Sequence, residues 1–134
     1  MDTSGVIGFS AGGHAVARFI TEPSLTYSSH DSADELPARV DFAVLMYPVI
    51  ATTGAQAHAG SAHQLLTSGV SAATLEDHSP DRHVSPGTPP TLLVHAADDD
   101  VVPVANSLNL AARLDWRIHE RRRTCGVFRR GHEP

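Results

Sequence analysis

Gly5-Val6-Ile7-Gly8-Phe9-Ser10-Ala11-Gly12-Gly13-His14 is the stretch on which the reading of this chain turns. A short apolar run enters a glycine-pinched turn, one serine stands at the tip, and Ala15-Val16-Ala17 continues as a helix. Gly8-Phe9-Ser10-Ala11-Gly12 has the G-x-S-x-G spacing of a nucleophile elbow. A nucleophile on a sharp strand-to-helix turn sits in a strained backbone conformation and crowds residues two positions away. Glycine at Gly8 and Gly12 is expected to relieve that crowding. The helix beyond aims free amides and its positive dipole end at the serine, where an oxyanion would form. The competing reading of the pentapeptide is a glycine-rich β–α turn of some other α/β protein.

Working outward, residues 15–20 carry Ala15, Val16, Phe19 and Ile20 as an apolar stripe at helical spacing, closed by Thr21-Glu22-Pro23. Residues 21–38 are polar and turn-rich and read as surface loop. Phe42-Ala43-Val44-Leu45-Met46-Tyr47, stopped by Pro48, is a continuous apolar run of the kind found in parallel strands covered on both faces. A long excursion over 51–90 allows helical turns near Ser61–Leu66 and Ala72–Glu76. Pro89-Pro90 then lead into a third strand, Thr91-Leu92-Leu93-Val94-His95. The acidic turn Asp98-Asp99-Asp100-Val101-Val102-Pro103 follows at the carboxyl end of that strand, the edge of open α/β sheets where active-site groups collect. A helix from about Ala105 to Leu114 offers Leu108, Ala111 and Leu114 for packing. The β-α-β-loop-β-α order predicts an α/β fold, a three-stranded or four-stranded parallel sheet with flanking helices.

Composition narrows the functions. The 134 residues make at most one domain, and the net charge of −5 argues against a nucleic-acid partner. The single cysteine, Cys125, excludes an internal disulfide framework and reads as incidental. No run of about 18 apolar residues crosses a membrane, and no signal peptide opens at Met1. His14 reads as a helix-surface or pocket-lining residue, and His95 as a core histidine bonded to backbone. His58, His63, His78 and His83 lie in loop without the i, i+4 pairing of a zinc helix, so neither a metal nor another cofactor is expected. Charge is uneven: residues 1–112 hold three arginines against twelve acids, net −9, whereas residues 113–134 hold seven against three, net +4.

With the elbow and the acidic turn both in place, the chain resembles the C-terminal half of an α/β-hydrolase. More narrowly it is similar to the acetyl-esterase and feruloyl-esterase-like carbohydrate esterases of the lipase/esterase type. The resemblance rests on Gly5–His14, Asp41–Ile50, Thr88–His95 and Asp98–Ser107, in that order, and covers residues 5–114. It implies Ser10 as nucleophile and Asp99 as the acid of a D-x-x-V-P turn. It implies His132, in Gly131-His132, as the base, and the backbone N–H of Ala11 as an oxyanion donor, in the fold's order Ser…Asp…His. The substrate implied is a carbohydrate ester or a small acyl ester.

Two departures qualify what the resemblance implies. The family's upstream strands, and the H-G-G-G-type loop that supplies a second oxyanion donor, have no counterpart here. Loss of one such donor costs about 10²–10³ in kcat. The chain is therefore expected to be a partial α/β-hydrolase fold, inactive or weakly active, with an exposed sheet edge open to self-association. Second, Arg121-Arg122-Arg123 falls where the family's last strand should run, and three arginines do not fit a strand buried on both faces. Residues 115–134 accordingly read as an Arg-rich irregular tail. A shift of reading frame near Arg113–Asp115 is an alternative account of its composition, under which His132 is not the true base. A non-catalytic hydrolase remnant and, behind it, a nucleotide-binding half-domain are the competing functional classes. The glycines do not fall at G-x-G-x-x-G, which counts against the latter.

Overall fold

Period-two burial along the strands defines the architecture in the computed structural model, which describes residues 3–24, 27–57, 60, 71–116 and 125–128. The strands are β1 (Gly5–Phe9), β2 (Phe42–Met46), β3 (Thr91–Ala96) and β4 (Cys125–Phe128). They form one all-parallel sheet in the order β1-β2-β3-β4. The register aligns Phe9 with Met46 and Met46 with Val94, while Ala96 aligns with Phe128. Connections between parallel neighbours must cross over the sheet. Helix α1 (Ser10–Thr21) makes the first crossing, α2 (Ala72–Asp77) and a 3-10 turn (Pro80–Arg82) belong to the second, and α3 (Ala105–Trp116) to the third.

One face of the sheet is the core face. Leu45 and Leu93 point into it and meet Ala17 of α1, Leu110 and Leu114 of α3, and Ile50 and Val84 from the loops, and Ala43 is buried on the same face. The face of α1 turned inward is Gly13, His14, Ala17, Ile20 and Thr21, rotated from the expected stripe so that Ala15 is exposed. Close approach of helix backbone to the sheet explains the rotation, because it selects the small residues Gly13 and Ala17 over bulkier neighbours. On α3 the expected Leu108 lies outside at 48% exposure, and Leu110 takes its place beside Leu114. Asn106 and Ser107 are wholly buried in the first turn, which turns the helix this way.

The fourth strand lies within the segment expected to be irregular. Cys125–Phe128 continues the sheet as β4, beginning after the arginine triplet and ending before Arg129. The four residues Cys-Gly-Val-Phe carry no charge, so the strand forms without burying an arginine. The helical turn expected near Ser61–Leu66 lies outside the described residues, whereas Ala72–Asp77 is helical with Ser71 Oγ accepting from the Thr74 amide at its start.

Candidate active site

The elbow is built by backbone. Phe9 ends β1 in extended conformation, Ser10 turns to φ 51°, and α1 begins there with no side-chain cap. The left-handed region is rare for a residue with a Cβ, and strain of this sort costs about 1–3 kcal/mol. The turn is held from behind by the segment after β2. The Val49 amide donates to the Ser10 carbonyl at 3.2 Å. One turn along α1, the buried His14 donates from Nδ1 to the Val49 carbonyl at 3.1 Å. Burial pushes the His14 pKa down, the Val49 carbonyl opposes this, and the positive charges of Arg18 and His78 add to it. His14 is therefore a core residue rather than a surface or pocket-lining one, because its bond to Val49 ties the helix to the loop that buttresses the serine.

The glycines divide differently from the motif expectation. A Cβ on Gly8 would meet the Gly12 carbonyl oxygen at 2.5 Å, so Gly8 is sterically required. A Cβ on Gly12 would meet nothing within 4 Å, while one on Gly13 would stand 2.8 Å from the Cβ of Pro48. Within the elbow the tight approach is thus made by Gly8 and Gly13.

The acid turn stands on the same edge of the sheet. Asp99 Oδ1 accepts from the amides of Val101 and Val102, both at 2.9 Å, so its carboxylate is turned inward and pinned. Asp98 and Asp100 are exposed beside it. Beneath the turn His95, 1% exposed, donates from Nε2 to the Val102 carbonyl at 2.9 Å, with Asp99 Oδ2 at 3.6 Å. That carbonyl can only accept, so Nε2 carries a proton, and in the neutral ring Nδ1 accepts from the Ser107 hydroxyl at 2.7 Å. His95 is the backbone-bonded core histidine expected. It joins β3, the acid turn and α3.

Asn106 completes the scaffold. Its Oδ1 accepts from the amides of Ile50 and Ala51 at 2.9 and 2.8 Å, and its Nδ2 donates to the Gln56 and Pro103 carbonyls at 2.9 and 3.0 Å. A polar residue in an apolar-looking helix is not read as core from sequence. The signal that could have found it is its place just past the Val-Pro of the acid turn, where unpaired loop amides need an acceptor.

Ser10 follows β1 and Asp99 follows β3, two strand spacings or roughly 10 Å apart across the carboxyl edge. Ala11 lies in the first turn of α1, where amides have no intrahelical partner. His132 lies outside the described residues, four positions beyond β4, which ends on this same carboxyl edge. None of the hydrogen bonds among the described residues uses the Ser10 hydroxyl. His14 and His95 are both committed to internal partners. A cavity of about 160 Å³ opens between Ile50, Gln56, Arg82 and Asn109, and one of about 510 Å³ lies at the opposite end of the sheet around Ile20, Arg39 and Pro89; neither is lined by Ser10 or Asp99. Among the described residues no group of three His, Cys, Asp or Glu side chains could hold a metal, and no helix is long and apolar enough to cross a membrane.

Comparison with known proteins gives concordant results. The BD-FAE family matches residues 1–114. Endo-1,4-beta-xylanase B of Butyrivibrio fibrisolvens is 33% identical over 109 residues, 81% of this chain and 17% of that protein. The acetyl ester-xyloside bifunctional hydrolase of Caldicellulosiruptor lactoaceticus superposes with a TM-score of 0.82 at 35% identity, covering 95% of this chain and 46% of that one. A lipase/esterase of Lactobacillus plantarum superposes at 0.65 and 25% identity, covering 93% and 49%. The chain thus spans about half the length of these solved structures, which are α/β-hydrolases.

Proposed function

Because the chain belongs to the BD-FAE family and has an esterase-like α/β-hydrolase fold, we propose that it carries the nucleophile and acid of a serine-dependent carboxylic-ester hydrolase. The substrate class is an acetyl or feruloyl ester on carbohydrate, or a small acyl ester. The names of the xylan-active and ester-active relatives support that choice. The observation that carries the reading is the strained Ser10, φ 51°, on the same sheet edge as the inward-turned carboxylate of Asp99.

In this reading the Ser10 hydroxyl attacks the ester carbonyl while His132 accepts its proton. Asp99 orients that imidazole and stabilises it when charged. The tetrahedral oxyanion is met by the Ala11 N–H at the positive end of α1. Collapse expels the alcohol, protonated by His132, and leaves an acyl-serine. Water, deprotonated by the same histidine, then releases the acid and restores Ser10.

Turnover of p-nitrophenyl acetate by the chain and by Ser10→Ala tests this. The reading expects hydrolysis above background that Ser10→Ala abolishes; activity surviving the substitution would sink the assignment. A second reading is a non-catalytic hydrolase remnant; neither of the two cavities described above is lined by Ser10 or Asp99. It expects no Ser10-dependent turnover and no cooperative unfolding as a monomer, so thermal unfolding followed by circular dichroism separates the two.

A further inference from the structure

Among the described residues only Ser10 and Tyr47 carry a side chain at positive φ, 51° and 38°. The register places them together. Phe9 and Met46 are partners at the ends of β1 and β2, so Ser10 and Tyr47 are the residues that follow paired strand ends on the carboxyl edge of the sheet. Tyr47 is the costlier of the two. A bulky residue is a true outlier at this φ, and a residue preceding proline, here Pro48, is normally held extended.

The surrounding bonds maintain the conformation. The Tyr47 amide donates to the Val94 carbonyl at 2.7 Å, and two residues on, Val49 donates to Ser10. What this arrangement displays is an aromatic ring. The Tyr47 ring lies 6.2 Å from that of Phe9, tilted by 59°, and the two residues remain 38% and 48% exposed. A ring kept only to fill the core would be buried. A turn needing only this backbone would be served more cheaply by glycine. Strain that holds an exposed side chain beside a reactive group is a common sign of a binding role.

We propose that Tyr47, backed by Phe9, is a specificity-determining residue, an aromatic wall beside Ser10 that receives a flat apolar group of the ester. That group is either an aromatic acyl group or a ring on the alcohol side. The proposal rests on Ser10 being the nucleophile.

The test uses ratios of kcat/KM, which do not depend on the fraction of chain that is folded. The acyl arm compares p-nitrophenyl benzoate with p-nitrophenyl acetate, and the alcohol arm compares phenyl acetate with methyl acetate. Tyr47→Ala is expected to lower the preference for the ring-bearing ester about three- to tenfold in one arm, the usual worth of an aromatic contact. The arm affected identifies the group bound. Tyr47→Gly, which suits the backbone, should show the same loss, and Tyr47→Phe should keep the preference. Ser10-dependent hydrolysis with both ratios unchanged in Tyr47→Ala and Tyr47→Gly overturns the wall and leaves the nucleophile standing. Absence of Ser10-dependent hydrolysis in the starting chain overturns the nucleophile, and the wall with it.

Discussion

A methyl group at position 13 would have to share space with the Pro48 ring, a rigid neighbour that cannot swing aside. Gly13→Ala is therefore expected to destabilise the fold by about 1–3 kcal/mol, the range for overpacking. Gly12→Ala, one residue earlier, meets open space and replaces a helical glycine, so it should be neutral or stabilising by up to about 1 kcal/mol. Urea midpoints of the two variants check the pair; equal losses would mean that the elbow's crowding is shared as the motif alone implies. His14 adds a pH dependence. Its pKa is lowered on folding from the ordinary 6.5, chiefly by desolvation, so the unfolded chain binds the proton more readily. Its contribution is fully present above pH 6.5 and is lost as pH falls from there through the lowered folded value. Urea midpoints between pH 7.5 and 5 should show that fall in the starting chain and a flatter profile in His14→Gln.

At the level of elements, Asn106 joins α3 to the loop after β2 through four hydrogen bonds. Asn106→Ala leaves the Ile50 and Ala51 amides without their acceptor. At about 1–3 kcal/mol for each group left unpaired, a loss of about 2–6 kcal/mol is expected in chemical unfolding. A loss below about 1 kcal/mol would mean that water replaces the side chain. How far such features were legible beforehand follows their range along the chain. The elbow, the acid turn and the first three strands are written in contiguous residues whose local chemistry agrees with the fold, and each stands where its sequence predicted. The sequence points His14 to the surface or a pocket and gives no sign that Asn106 and Ser107 are buried, because their burial depends on partners 35, 56 and 12 residues away. Polar residues look like surface until the carbonyl or amide that satisfies them is known. The D-x-x-V-P pattern that the resemblance supplies is what singles out Asp99, through Val101, Val102 and Pro103, from its acidic neighbours. Two of those residues supply the amides that pin its carboxylate. The strand at Cys125–Phe128 was obscured by the arginines on either side, which dominate the composition of any window long enough to average.

Among the described residues, the sheet has one covered and one open face. Leu93 is 1% exposed against the helices, while its neighbour Leu92 points the other way at 37%, alongside Ile7 at 55% and Phe42 at 43%. Leu93→Ala should cost about 2–5 kcal/mol. Leu92→Glu and Ile7→Lys should cost under about 0.5 kcal/mol, as usual for surface changes. The open face, with the edge of β1 unpaired among the described residues, also leads us to propose self-association. Sedimentation velocity should show a concentration-dependent coefficient that Ile7→Lys reduces; a concentration-independent monomer would refute it. The strand order carries a consequence in time. Each strand pairs with its immediate predecessor in the chain, so the sheet can grow outward one strand at a time as the polypeptide leaves the ribosome. Among these four strands, growth in chain order would close the nucleophile turn before the acid turn joins it with β3, and β4 would dock after both. A chain interrupted late in synthesis would already hold Ser10 and Asp99 on one edge, so loss of the final strand would be felt first where β3 is left without its outer neighbour.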